Sequence, residues 1–106
     1  MKCIRTKIIG CGHYLPAKVL TNDDLSKMVE TNDEWISTRT GIRSRHIAAD
    51  DEVTSDQAFK AVEMAMKNAH VTAHDLDLIL VATATPDNTT PATACKLAGR
   101  LGVKSG

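Results

Sequence analysis

Trp35 is the single tryptophan of the chain, and Arg39 follows it four residues later. On a helix that spacing puts both side chains on one face. An indole plane beside a guanidinium suits a ligand with a flat base and phosphates: the ring stacks on the base while the arginine fork reaches a phosphate. The same spacing also fits a core tryptophan with Arg39 paired to Asp33 or Glu34, and spacing alone favours that reading. Cys95 is the candidate nucleophile, since a thiol near a helix N-terminus can be activated. It stands among Ala92, Ala94, Leu97 and Ala98, however, inside a predicted helix rather than at its first turn. His13, His46, His70 and His74 show no spacing that pairs one of them with it, so Cys95 reads as structural. Gly10-Cys11-Gly12 follows a predicted strand, but dinucleotide binding needs a third glycine and an immediate helix start. Tyr14-Leu15-Pro16 stands there instead, and the glycines read as a strand-ending turn. Asp50-Asp51-Glu52 lacks further ligands at calcium-site spacing and reads as a solvated tip.

The elements that must position these residues follow from periodicity and punctuation. Cys3–Cys11 predicts a first strand, ended by Gly10, Gly12 and Pro16. Thr21-Asn22-Asp23-Asp24 starts a short helix running to about Val29. Thr31-x-x-Glu34 is a capping-box pattern for the helix that carries Trp35, with Gly41 as its stop. Residues 43–48 suit a short strand or hairpin arm. Thr54-x-x-Gln57 opens the longest helix, about 55–69, whose Ala58, Phe59, Ala61, Val62, Ala65, Met66 and Ala69 form a wide apolar face. Residues 76–83 hold the unbroken run Leu78-Ile79-Leu80-Val81-Ala82, as in a strand buried on both faces of a parallel sheet. A polar, threonine-rich loop follows, and Pro91 then opens a last helix, about 92–101, closed by Gly102. This order indicates an α/β layered fold. Its strands are too few to cover those apolar faces, so the layer set reads as incomplete, needing further sequence or a partner.

Composition narrows the function classes. The 42% hydrophobic and 25% charged content is that of a globular chain, and 106 residues make at most one small domain. Zero formal charge with intermixed signs argues against a nucleic-acid partner. Three cysteines without zinc-ligand spacing predict reduced, mostly buried thiols of a cytoplasmic protein, with no metal site. No run approaches the ~20 apolar residues of a membrane span, and no signal-peptide h-region is visible.

The string T-N-D-E-W-I-S-T-R-T-G-I-R-S-R-H-I-A from Thr31 resembles the signature of the β-ketoacyl-acyl-carrier-protein synthase III family. So do K-I-I-G-C-G-H-Y-L-P upstream and D-L-D-L-I-L-V-A-T-A-T-P-D and P-A-T-A-C-K downstream. The resemblance implies a thiolase fold, a layered αβαβα sandwich of two similar halves. Residues 1–106 would be the N-terminal part of the first half, with no second domain. It implies acyl transfer from acyl-coenzyme A, used as substrate with no tightly bound cofactor, and condensation with malonyl-acyl-carrier-protein by a homodimer. Trp35 would stack on the coenzyme A adenine, Arg39 would contact its phosphates, and Thr31 would line the adenine site. The family's nucleophilic cysteine falls after the strand beginning near Lys104, and its His and Asn partners fall in the second half. The expectation is therefore a fragment that is catalytically incompetent alone, or else one chain of a split synthase or a non-catalytic coenzyme A-binding module. Thr90 stands where many members carry a bulky phenylalanine at the acyl pocket and dimer contact, which implies primers larger than acetyl.

Overall fold

In the computed structural model, which describes residues 3–104, the chain divides into two compact units. One is residues 15–52; the other joins residues 53–104 to the N-terminal segment up to Tyr14.

The first unit is built from β1 (Lys18–Thr21), α1 (Asn22–Ser26), α2 (Asp33–Thr40) and β2 (Ser44–Ile47). β1 and β2 pair antiparallel, with Lys18 opposite Ile47 and Thr21 opposite Ser44. The expected short strand at 43–48 is thus present as β2, paired across two intervening helices rather than as a hairpin arm. Thr21 caps α1: its hydroxyl accepts from the Asp24 N–H, and the Asp24 carboxylate accepts from the Thr21 N–H at 3.1 Å. α1 ends at Ser26, three residues short of the predicted Val29, where main-chain bonds from Lys27 and Met28 to Asp24 and Leu25 tighten the chain into a turn. The cap of α2 is Asn32, not Thr31, because the Asn32 side chain accepts from the Trp35 N–H at 2.8 Å. Gly41 closes α2 in the left-handed region at φ 73°, where a side chain would be strained. Ile36 is the buried hydrophobic residue of this unit.

The second unit is organised by α3 (Thr54–Ala69) and α4 (Thr93–Leu101), joined by a 3₁₀ turn at Ala73–Asp75 and extended chain. Leu97 of α4 is its fully buried hydrophobic residue. Arg100 of α4 lies 4.5 Å from the Phe59 ring centre and pairs with Asp56 at 2.7 Å, tying the two helices together. The predicted Thr54-Gln57 capping box is replaced. Val53 is the N-cap position, the Asp56 carboxylate accepts its N–H at 3.0 Å, and the Thr54 hydroxyl instead donates to the Thr85 carbonyl at 2.6 Å.

Three expectations are corrected here. Among the described residues, Cys3–Cys11 and residues 76–83 form no ladder, since a strand requires a hydrogen-bonded neighbour. The run at 78–82 is not buried on both faces: Leu78 and Leu80 are 74% and 84% exposed, while Ile79 and Val81 are half-buried. The glycines at 10 and 12 are a packing device rather than a turn. A Cβ on Gly10 would come within 2.6 Å of the Ala65 carbonyl oxygen and of the Ala69 Cβ, and one on Gly12 would collide with the Ala61 carbonyl and the Ala65 nitrogen. The chain at residues 10–12 therefore lies directly on the alanine ridge of α3, while Ile4, Ile8 and Ile9 before it are exposed.

Four aspartates that receive hydrogen bonds at helix and turn starts have carboxyls held below the ordinary value of 3.8. The main causes are the Thr21 hydroxyl for Asp24, the Val53 N–H for Asp56, the Thr72 N–H for Asp75 and the Ser55 hydroxyl for Asp87. A carboxyl depressed on folding stabilises fully above its unfolded value, and that contribution is lost as pH falls through the folded value. Thermal melts should give a flat midpoint from neutrality down to about pH 5, with a steep fall only below the ordinary aspartate value. Gly12→Ala should destabilise the second unit by about 1–3 kcal/mol through overpacking, read as a lower urea midpoint of the helical circular dichroism.

Candidate functional site

The Asn22 side chain, 1% exposed, sets the position of α2. Its amide nitrogen donates to Asp33 Oδ1 at 2.7 Å and to the Ile42 carbonyl at 2.8 Å, and its oxygen accepts from the Arg45 guanidinium at 2.7 Å. Asp33 is the first residue of α2, and Ile42 follows its C-cap. Both ends of the helix are thus tied to one buried amide.

On that helix Trp35 and Arg39 come together as their spacing required, with the guanidinium carbon 4.8 Å from the indole centroid. The core-tryptophan alternative falls, because Trp35 is 53% exposed. The Asp33 of the alternative ion pair is held by Asn22 instead. At a solvent-facing site the stack contributes about 0.5–1 kcal/mol. Beside the ring is an open cavity of about 230 Å³, lined by Glu30, Thr31, Asn32 and Trp35. Thr31 Oγ1 is buried there with no hydrogen-bond partner. A buried hydroxyl without a partner is costly, and its position beside the cavity makes it ready for a ligand atom.

Residue spacing did not single out Asn22, Glu30 or Asn32. A signal existed for one of them: asparagine immediately before Asp33-Glu34 ranks above threonine as a cap. In the sequence Asn22 stands only as part of the Thr21-Asn22-Asp23-Asp24 helix start. Its partners at 33, 42 and 45 are distant in sequence.

The remaining candidates belong to the other unit. Thr90 is exposed in the loop before Pro91, with which it forms a cis peptide bond. That loop is anchored through Asp87, whose side chain is 3% exposed. Asp87 accepts from the Ser55 N–H at 2.9 Å and the Ser55 hydroxyl at 2.5 Å, and Lys96 lies 3.5 Å away. Lys96 also bonds the Asn88 side chain. Cys95 is the third residue of α4, in its first turn rather than deeper inside, because the helix starts at Thr93. The burial expected for the cysteines is overturned: Cys3, Cys11 and Cys95 are all exposed. Cys3 and Cys11 lie on the N-terminal segment, where Ile4, Ile8 and Ile9 are exposed as well, and Cys95 lies on the rim of an open cleft. Among the described residues, no group of three or more His, Cys, Asp or Glu assembles to hold a metal, and no helix is long and apolar enough to cross a membrane.

No protein-family model matches the chain. Among curated proteins it is 60% identical over 103 residues to the β-ketoacyl-[acyl-carrier-protein] synthase III of Rhodospirillum centenum, covering 97% of this chain and 32% of that protein. Among solved structures it matches 3-oxoacyl-[acyl-carrier-protein] synthase III from Aquifex aeolicus with a TM-score of 0.86 and 48% identity, over 94% of this chain and 32% of that one. The priming β-ketosynthase of the R1128 polyketide pathway matches with a TM-score of 0.87 and 35% identity, over 94% and 30%. The chain spans about a third of the length of the curated relatives it matches.

Replacing Asn22 with alanine should leave Asp33 and Arg45 short of a partner. The expected loss is about 1–3 kcal/mol, measured by urea unfolding followed through Trp35 emission, since the tryptophan reports on this unit.

Proposed function

We propose, since this chain belongs to the β-ketoacyl-acyl-carrier-protein synthase III family, that its α2 face forms one wall of a coenzyme A site. The fold is the thiolase-type α/β arrangement of these enzymes, of which the chain holds one part. The observation that carries the proposal is the buried, unpartnered Thr31 hydroxyl beside the exposed Trp35 ring. A hydroxyl can donate to or accept from a base nitrogen, and the indole supplies a surface on which the base stacks. The cavity, at about 230 Å³, lies below the ~300 Å³ where sites for drug-sized ligands begin, so it has room for a base rather than the whole coenzyme. The Glu30 carboxylate on its rim accepts hydrogen bonds and suits an exocyclic amino group. It would repel a phosphate, so the phosphates belong on the Arg39 side of the ring, where a guanidinium offers a bidentate fork.

In this reading the chain contributes recognition, and the acyl-transfer and condensation steps rest on other parts of the synthase. The covalent step needs an activated thiolate with a base in reach, and the decarboxylative step needs donors aimed at the developing oxyanion. Alone, the 106 residues bind coenzyme A without turning it over. Acyl-coenzyme A is a substrate here, not a resident cofactor, and acyl carrier protein is the partner of the complete homodimeric enzyme in the cytoplasm. Thr90, small and exposed before Pro91, is assigned to a roomier acyl pocket that accepts primers larger than acetyl.

Coenzyme A should quench Trp35 emission saturably. Arg39→Ala should weaken that binding by roughly tenfold, the loss of one charge-assisted contact worth about 1.5 kcal/mol. Thr31→Val, which keeps the shape and removes the unpartnered hydroxyl, should weaken binding while raising the unfolding midpoint, so that the lost affinity is not a loss of fold. Quenching that never saturates, or that both variants leave unchanged, would remove the coenzyme A reading.

A further inference from the structure

The cavity beside Trp35 can read only one end of a ligand. Glu30, Thr31, Asn32 and Trp35 line it, and its volume is about 230 Å³. Pockets for whole drug-sized ligands begin at ~300 Å³. Arg39 stands outside that lining, about one helical turn further along α2, with its guanidinium carbon 4.8 Å from the indole centroid. The polar groups thus come from the residues just before the ring, and the cation from the turn after it.

The groups at the cavity have hydrogen-bonding capacity to spare. Thr31 Oγ1 is buried with no partner. The Asn32 side-chain oxygen is spent on the Trp35 N–H at 2.8 Å, while its amide nitrogen has no protein partner among the described residues. Glu30 adds a carboxylate that only accepts when ionised. This set suits a base with an amino group next to a ring nitrogen. The amino group donates to the carboxylate, and the ring nitrogen accepts from the hydroxyl or the amide. Stacking on the indole uses the face of the base, and the Arg39 fork uses the oxygens of one phosphate.

We infer that this site takes adenine nucleotides as a class, and that those without a pantetheine arm compete with coenzyme A for it. This ligand class rests on the coenzyme A reading of α2 and widens it. The contacts offered by Glu30, Thr31, Asn32, Trp35 and Arg39 all fall on the base and its nearest phosphates. ADP shares that end of the molecule with coenzyme A, so the site receives both alike. Free adenine nucleotides then act as competitors of acyl-coenzyme A at this wall, an inhibitory input from the nucleotide pool.

In nitrogen-15-labelled protein the single tryptophan gives one indole N–H resonance, which reports on the ring directly. ADP should shift it saturably, with a dissociation constant within about fivefold of that for coenzyme A. Each ligand should raise the apparent constant of the other, as competitors for one site do. Adenosine should bind roughly tenfold more weakly than ADP, and Arg39→Ala should erase that difference because the phosphate contact is then lost. UDP carries the same diphosphate on a smaller ring, with a carbonyl oxygen in place of the amino group. It should bind at least about tenfold more weakly than ADP. Coenzyme A that binds while ADP fails to displace it would overturn the inference and leave the coenzyme A reading standing. UDP binding as tightly as ADP would overturn it as well, by reducing the site to a general attraction of phosphates. An indole resonance unmoved by either coenzyme A or ADP would remove the inference and the coenzyme A reading together.

Discussion

The first unit depends on the satisfaction of one buried amide. Asn22 sits where β1 gives way to α1, and its side chain exchanges hydrogen bonds with Asp33, Ile42 and Arg45, while its own N–H donates to the Arg43 carbonyl. Among the described residues of that unit only Ile36 is a buried large hydrophobic, so apolar packing leaves much of the arrangement undetermined. A polar group buried this deeply is tolerated only with its partners in place. The requirement for partners is what fixes the strand pair, the start of α2 and its exit relative to one another. Trp35 and Arg39 inherit their orientation from it.

The second unit uses the same device with a carboxylate. Asp87 is buried against the Ser55 N–H and hydroxyl at the start of α3, with Lys96 of α4 nearby. A negative group at a helix N-terminus is favourable, and here it also anchors the loop before Pro91. Around this polar hub the apolar contacts are divided. Glycines 10 and 12 let the N-terminal segment lie against the Ala61–Ala65–Ala69 ridge, and Leu97 is fully covered. Leu78 and Leu80 are not. A layered α/β sandwich buries both faces of its strands between helices, and this portion of the fold covers one face only.

Function divides along the same lines. α2 and the residues before it bring a ring, a cation and a hydroxyl close together by short-range structure, while their exposure and burial come from packing. Covalent acyl transfer needs groups converging from several elements. Cys95, exposed in the first turn of α4, is a single thiol at a cleft rim and supplies no such convergence.

What the residues determined by themselves was local. Four-residue spacing put Trp35 and Arg39 on one face, Gly41 and Gly102 closed their helices, and the long motif from Thr31 carried the family. These signals are read within a turn or two of helix, where backbone geometry dictates which side chains meet. The partners of Asn22, the contact of Gly10 and Gly12 with α3, and the exposure of the cysteines depended on segments far apart in sequence. The choice of Asn32 over Thr31 as cap was local, but adjacent residues competed for it. Only tertiary structure decided that the Thr31 hydroxyl is buried without a partner and that Trp35 faces solvent, because burial is a property of what packs alongside rather than of the residue. The strand-like composition of 76–83 likewise specified an extended chain, but a ladder exists only where a second strand supplies the other half of each hydrogen bond.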